Sequence, residues 1–446
     1  MMDEQQKRPT SDHGACEAQI AHLEATVVTL QQRLAALERR LGSSGGKGMP
    51  GNKPAATSRP QGEGKPRQRR AQGFVRLRSA QPTHRIRHAP AHCPDCATPL
   101  HGGRVVRTRE VIELPATPVQ IIHHQVMARR CPRCRRTVTP VLDLGDAVVG
   151  KQRLGLGLIS LIVTLREVGR LPVRTIQWYL RVVHGLALSV GAITAASDRV
   201  ATAGQAALSQ IREAIRASPV VHMDETGWRQ NGVNGFVWTA STPTERYFVR
   251  GSRAGAMVEA ILGDATAGVL CCDGYAGYHH YPGRKQRCWA HILREVHDLT
   301  RLYPEDAVLR AWGGELQALY ADAVACRGPD AHARTQAQHA YEQRLVALCQ
   351  PLADDATAVH GRLARTLLRL LPDRFVFVAD PAVPPDNNAA ERALRHLVTA
   401  RKISGGTRSP QGTTTRLTLA SLLGTAQLRG LDPLLATASL LTAGRL

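Results

Sequence analysis

A chain of 446 residues is too long for one hydrophobic core and should divide into two to four domains. Lys and Arg outnumber Asp and Glu by 58 to 36, giving a net charge of +22 carried nearly all by Arg, whose planar fork grips phosphate. This balance points to a polyanionic partner, nucleic acid or an anionic surface, unless it records only a compositional bias toward Arg and Ala. No apolar run is long enough to span a bilayer and none follows a basic start, so a soluble cytoplasmic protein with no membrane partner is expected, its ten cysteines serving as thiols or metal ligands.

In chain order, Ile20, Leu23, Val27, Leu30, Leu34, Leu37 and Leu41 alternate steps of three and four. This two-position stripe predicts a coiled-coil zipper over 1–41 and self-association through it; a helix lying on its own domain would carry a wider apolar face. Residues 42–84 are rich in Gly, Ser, Pro, Gln and basic residues, including Lys65-Pro-Arg-Gln-Arg-Arg70, and read as a disordered basic linker.

Residues 85–145 contain Cys93-Pro-Asp-Cys96 and Cys131-Pro-Arg-Cys134. Two such pairs supply four thiolates, the donor set of structural Zn²⁺, whereas a redox site needs only one pair. Strands are expected at Arg109–Leu114 and Val119–Val126, making a small zinc-binding β domain. Arg129, Arg130, Arg133, Arg135 and Arg136 crowd the second knuckle and suit it to DNA. His92, His123 and His124 are either substitute ligands or surface histidines.

From 150 to 217 the period is helical, with breaks at Gly169-Arg-Leu-Pro172 and His184-Gly185. Pro172 suits a first helical position and Ser189 a cap. The pair is either a DNA-reading helix-turn-helix or an ordinary helical hairpin.

Residues 218–298 hold the central pattern. Val220-Val-His-Met-Asp-Glu-Thr-Gly-Trp228 reads as a buried strand delivering Asp224, and Val269-Leu-Cys-Cys-Asp-Gly-Tyr275 as a second delivering Asp273. Glu225, next to Asp224, should point to the opposite face and is not counted as a ligand. With strands at Gly235–Ala240 and Arg246–Arg250 and a helix at Ala254–Leu262, the order of elements resembles the ribonuclease H-like fold. In that fold a later helix brings a third carboxylate. Glu391 fits, one turn inside a helix capped by Asp386 or Asn387. Helical patterns at Val308–Val324, Ala331–Leu348 and Ala356–Leu371 predict a helical insertion over 299–380, before a catalytic helix and helical tail at 381–446.

The zipper, the double knuckle, Asp224 in HMDETGWR, Asp273 in CDGYAGY, Cys288-Trp-Ala-His291 and Glu391 in DNNAAERALR together resemble the DDE transposases of bacterial insertion-sequence family sixty-six, over nearly the whole chain. The resemblance implies that Asp224, Asp273 and Glu391 hold Mg²⁺ or Mn²⁺ for two-metal phosphoryl transfer. Water would nick the element end and the freed 3′-hydroxyl would attack target DNA, with no covalent protein nucleophile. It implies terminal inverted repeats and target DNA as partners, small accessory proteins of the same element, and association with the nucleoid. Arg392, Arg395, Arg401 and Lys402 follow Glu391 as DNA contacts. One departure is Arg401-Lys-Ile-Ser-Gly-Gly-Thr-Arg408, where many such proteins continue into an aromatic segment; the Gly pair suggests a different way of touching DNA or the flanking sheet. Cys288 and His291 take either a role beside the active site or a purely structural one, and Trp289 either a DNA base or the core. Two other readings fit the residues: a non-catalytic zinc-containing DNA-binding regulator, and a ribonuclease H-like nuclease.

Overall fold

The computed structural model describes residues 79–112, 119–148, 152–264, 268–355 and 358–446, together with residues 19, 21–29, 31, 32 and 34. The chain divides into two compact units, Asn52–Ile122 and a larger one of Met1–Gly51 with His123–Leu446.

In the smaller unit a β-bridge pairs His92 with Pro99 around the first cysteine turn. The strand expected at Arg109–Leu114 does not form over its described residues 109–112, and residues 119–126 of the other expected strand are likewise irregular. The two expected strands are corrected accordingly. Val111 is 76% exposed and Ile121 78%. A short apolar run with neither face covered lacks the burial that makes a strand stable.

In the larger unit, residues 21–29 are helical with Leu23 and Val27 exposed, while Ile20, Leu30, Leu37 and Leu41 of the expected zipper, and the linker up to 78, lie outside the described residues. A two-residue ribbon, β1 (Arg129–Arg130) with β2 (Thr137–Val138), closes the second cysteine turn. Four helices follow: α1 (Leu156–Glu167), α2 (Val173–His184), α3 (Val190–Ala203) and α4 (Gln205–Arg216). Pro172 stands just outside α2, one position before the expected place, and Ser189 Oγ caps α3 by accepting from Ala192 N–H at 3.0 Å.

The sheet has five strands, β3 (Val220–Gln230), β4 (Val233–Ser241), β5 (Arg246–Gly251), β6 (Val269–Cys272) and β7 (Lys285–Arg287), in the order β5-β4-β3-β6-β7. The first three are antiparallel; β6 runs parallel to β3 and β7 parallel to β6. Helix α5 (Ala256–Leu262) lies between β5 and β6 in the chain. Because side chains alternate across a strand, β3 builds two cores at once. Val221 and Met223 join Trp238, Leu270 and the apolar faces of α1 to α4. Val220, with Val269 and Cys271, joins a helical layer made of α6 (Trp289–Leu302), α7 (Ala307–Ala325), α8 (Ala331–Asp354), α9 (Gly361–Arg369) and α10 (Val376–Ala379). Trp289 belongs to that core: it is fully buried and donates Nε1–H to Arg374 O at 2.7 Å.

Helix α11 (Asn388–Ser404) packs Ala393, Leu394 and Leu397 on Trp228, Val237 and Phe248. Helix α12 (Pro410–Leu428) covers the edge strand β5, with Ser421 Oγ and Thr425 Oγ1 accepting from the Phe248 and Arg246 N–H groups at 2.9 and 3.0 Å. Helix α13 (Pro433–Ala443) completes the chain's described elements. The Gly405–Gly406 pair turns the chain back onto the sheet. Gly406 has φ +112° and a Cβ there would stand 2.1 Å from Arg229 O, so only glycine fits where Thr407 pairs with the end of β3. Among the described residues no helix is long and apolar enough to cross a membrane.

Candidate active site

Asp224 and Asp273 meet through strand register. In the parallel pairing of β3 with β6, His222 stands opposite Cys271. Two residues further along, on the same face, come Asp224, within β3, and Asp273, just past the end of β6, on neighbouring strands about 4.8 Å apart. The turn carrying Asp273 is fixed from both sides: Asp273 Oδ1 accepts from Tyr275 N–H at 2.9 Å, and buried Arg287 donates Nη1–H to Asp273 O at 2.8 Å while its Nε pairs with Asp373 at 3.2 Å.

Helix α11 brings Glu391 to this face. Asn387, immediately before it, is 1% exposed and spends its side chain across the interface, donating Nδ2–H to Met223 O at 2.7 Å. That fixes Asn387 Oδ1 as an acceptor, so His222 Nδ1–H donates to it at 3.1 Å. Burial holds the His222 imidazole below its ordinary pKa, and the bond to Asn387 opposes that shift.

The charges of the neighbouring acids act on Asp224. Burial pushes the Asp224 carboxyl up to about 7; the charges of Asp273, Glu225 and Glu391 add to the push, and the Glu225 N–H bonded to Asp224 Oδ1 at 2.8 Å opposes it. Glu225 projects the other way, where Arg253 Nε–H and Tyr278 O–H both donate to it at 3.0 Å. Its carboxyl is raised by burial first and by Asp273 second.

Of the expected DNA contacts, Arg392, Arg395 and Lys402 are exposed on α11. Arg401 is partly buried, its Nη1 donating to Thr226 Oγ1 at 3.2 Å and to Gly227 O, so it ties α11 to β3. Cys288 and His291 open α6 beside Glu391, with His291 Nε2 at 3.7 Å from Glu391 Oε1. Sequence reasoning marked Asn387 only as a cap and passed over Arg287 and His222. Their roles depend on partners many residues away, and no local pattern announces them.

Each cysteine pair sits in a preformed turn of the same design. Cys93 N–H bonds Thr98 O and Ala97 N–H bonds Cys93 O, both at 2.9 Å, with Ala97 at φ +60°. Cys131 N–H bonds Arg136 O at 2.8 Å and Arg135 N–H bonds Cys131 O at 2.9 Å, with Arg135 at φ +58°. The Thr98 hydroxyl and amide lower the Cys96 thiol, and the amides of Cys134 and Arg133 lower that of Cys131. Both shifts favour the thiolate, the form that binds metal.

The family model for the IS66 family of transposases matches residues 151–415. Two uncharacterized proteins of Sinorhizobium fredii are similar to parts of the chain. One, y4jD, is 26% identical over 284 residues, 56% of this chain and 55% of its own length. The other, y4qI, is 27% identical over 189 residues, 38% of this chain and 34% of its own. The chain thus spans between about a third and about half of the length of these curated relatives.

Proposed function

The chain belongs to the IS66 family of transposases, a family that implies DNA binding, and from that premise we propose that it cuts the ends of an insertion sequence and joins them to target DNA as a DDE enzyme. The observation that carries this reading is the β3/β6 register that aligns Asp224 with Asp273, with Glu391 close enough for its charge to act on Asp224. The strand order and directions support a ribonuclease H-like core, in which an acid within β3 and one just past the end of the parallel strand β6 belong to neighbouring strands.

The donor types fit Mg²⁺ or Mn²⁺: the charges of Asp273 and Glu391 reach Asp224, whose carboxyl burial pushes up to about 7, a conflict that a divalent cation would relieve, although among the described residues the three carboxylates are not already drawn together to the spacing of a metal site. Bound there, the metal supplies Lewis-acid polarisation of the scissile phosphate and activation of the attacking oxygen. The chain's residues do the rest. Asn387 and Arg287 fix the helix and the turn that carry two of the acids. Arg392, Arg395 and Lys402 face outward from α11 to neutralise phosphates. In the first step the oxygen of water bonds to phosphorus as the bond to the 3′ oxygen breaks. In the second, the released 3′-hydroxyl attacks a target phosphate and the target's own 3′ oxygen leaves.

The two cysteine turns would hold Zn²⁺ and present the surrounding arginines to DNA. The hairpin of α2 and α3 would add a DNA-reading surface, and the zipper over 1–41 would pair two copies, with dimers expected in sedimentation. The decisive experiment incubates purified protein with DNA carrying the element's inverted repeats and Mg²⁺ or Mn²⁺. Cleavage and strand transfer that vanish in Asp224→Asn, Asp273→Asn and Glu391→Gln support the proposal. Tight binding of the ends with no cleavage would favour a regulator, and cleavage of unrelated junctions without repeat preference a nuclease.

A further inference from the structure

We propose that Cys288, His291 and Glu391 form a binding site for a thiophilic divalent cation, Zn²⁺ in chemistry, beside the catalytic acids and sharing Glu391 with them. One donor atom from each residue lies within 4.8 Å of the other two. His291 Nε2 and Glu391 Oε1 are already 3.7 Å apart. Donors bound at about 2.0–2.3 Å in a tetrahedron stand roughly 3.3–3.7 Å from one another, so modest side-chain rotation closes the set.

The surroundings point to a cation. Among the described residues, Glu391 Oε1 is a buried atom with no hydrogen-bond partner. Such an atom costs free energy unless something completes it. Cys288 is 2% exposed and the Asn387 N–H donates to its sulfur at 3.3 Å; burial holds its thiol above the ordinary range, so its proton leaves when a cation takes its place. A covalent nucleophile needs an accessible sulfur, whereas this one opens only inward, toward His291 and Glu391. Those two side chains are 38% and 25% exposed and leave an entry path.

The donor types set the selectivity. Sulfur, imidazole and one carboxylate suit Zn²⁺ with a fourth position open to water, while Mg²⁺ demands oxygen donors in octahedral array. Metal binding here stands apart from the transposition reading, but its consequence rests on it. With Glu391 drawn to Zn²⁺, the catalytic set loses a carboxylate, so Zn²⁺ inhibits Mg²⁺-dependent cleavage.

The test titrates the full chain with Co²⁺, following thiolate-to-metal absorption and bound equivalents, in the wild type, Cys288→Ser and His291→Gln. The wild type should bind one equivalent more than either variant, with the contribution of the knuckle cysteines common to all three. Equal equivalents in three folded proteins would overturn the site; His291→Gln, at a partly exposed position, keeps the test open should Cys288→Ser not fold. A second arm adds Zn²⁺ to cleavage reactions, each protein compared with its own Mg²⁺-only rate. Inhibition of the wild type that is relieved in the variants supports sharing of Glu391, and Zn²⁺ that binds without slowing cleavage refutes it. No cleavage by any protein, with the extra equivalent still bound, would sink the catalytic reading and leave the site standing.

Discussion

The sheet and the first cysteine turn are built by opposite means. Around Asp224 the side chains of Val221, Met223, Trp238 and Leu270 are almost wholly buried, and the strand has no freedom to shift register without turning its acid to the wrong face. Around Cys93 and Cys96 the apolar residues are exposed, Val105 by 77% and Val106 by 85%, and order resides in a handful of backbone bonds. The first region is held by burial. The second offers two thiols in a backbone-bonded turn and, with the proposed Zn²⁺ bound, would have no core to replace the metal.

Removing the clip's metal should therefore produce the largest difference between the two. Structural zinc sites contribute on the order of 10 kcal/mol in isolated peptides. Treatment with a strong chelator, or Cys96→Ser, should open residues 79–112 to protease while the sheet's melting transition stays in place. Simultaneous loss of both would show that the sheet depends on the knuckles. The converse experiment acts on the sheet alone. Asp224→Asn, Asp273→Asn and Glu391→Gln should each lower cleavage by at least about a thousandfold, with the fold retained in circular dichroism and, in the two Asp variants, zinc content unchanged.

The same contrast explains how far the sequence could be read. The strands carrying Asp224 and Asp273 were legible because a buried strand must be apolar, though β3 runs on past Asp224 to Gln230, and Ser189 and Pro172 announced the helices that follow them. The strands expected at 109–114 and 119–126 had an equally good local pattern but no layer to cover them, and a pattern cannot reveal a missing partner. Membership of Glu391 in the acid cluster came only through likeness to a fold. Its proximity to Cys288 and His291 was invisible, since the helix carrying it is reached only after α6 to α10 have packed their own core. Arg401 read as a DNA contact, and the close approach of α11 to β3 gives its guanidinium backbone and hydroxyl partners there instead.

Within the buried region, Asn387 separates burial from hydrogen bonding. Asn387→Ala deletes little apolar contact but leaves Met223 O and His222 Nδ1 without their partner. Loss of those bonds in a closed site should cost about 2–3 kcal/mol, read as a lower denaturation midpoint with unchanged slope. Asn387→Asp, which keeps an acceptor for His222 and loses the donor to Met223 O, should fall between. A cost below that of an exposed substitution would mean the helix is held by Ala393, Leu394 and Leu397 alone.

The last effect is the pH dependence that the acids impose on the metal-free protein. Asp224 has an ordinary value of 3.8 and is pushed up to about 7 in the fold, mainly by burial. Between those values the folded state keeps a proton that the unfolded chain has released, so stability falls as pH rises from about 4 to about 7, by at most about 1.4 kcal/mol per pH unit, and levels off above. Glu225, also raised by burial, adds in the same direction. In Mg²⁺-free buffer the denaturation midpoint should drop across this window for the wild type and stay nearly flat over the Asp224 part of it in Asp224→Asn. Mg²⁺ should restore the midpoint most at the alkaline end, where the carboxylates are charged and the cation has most to neutralise. A wild-type midpoint that rises through the window would mean that Asp224 is ionised without metal, and that the burial around it is not what sets its charge.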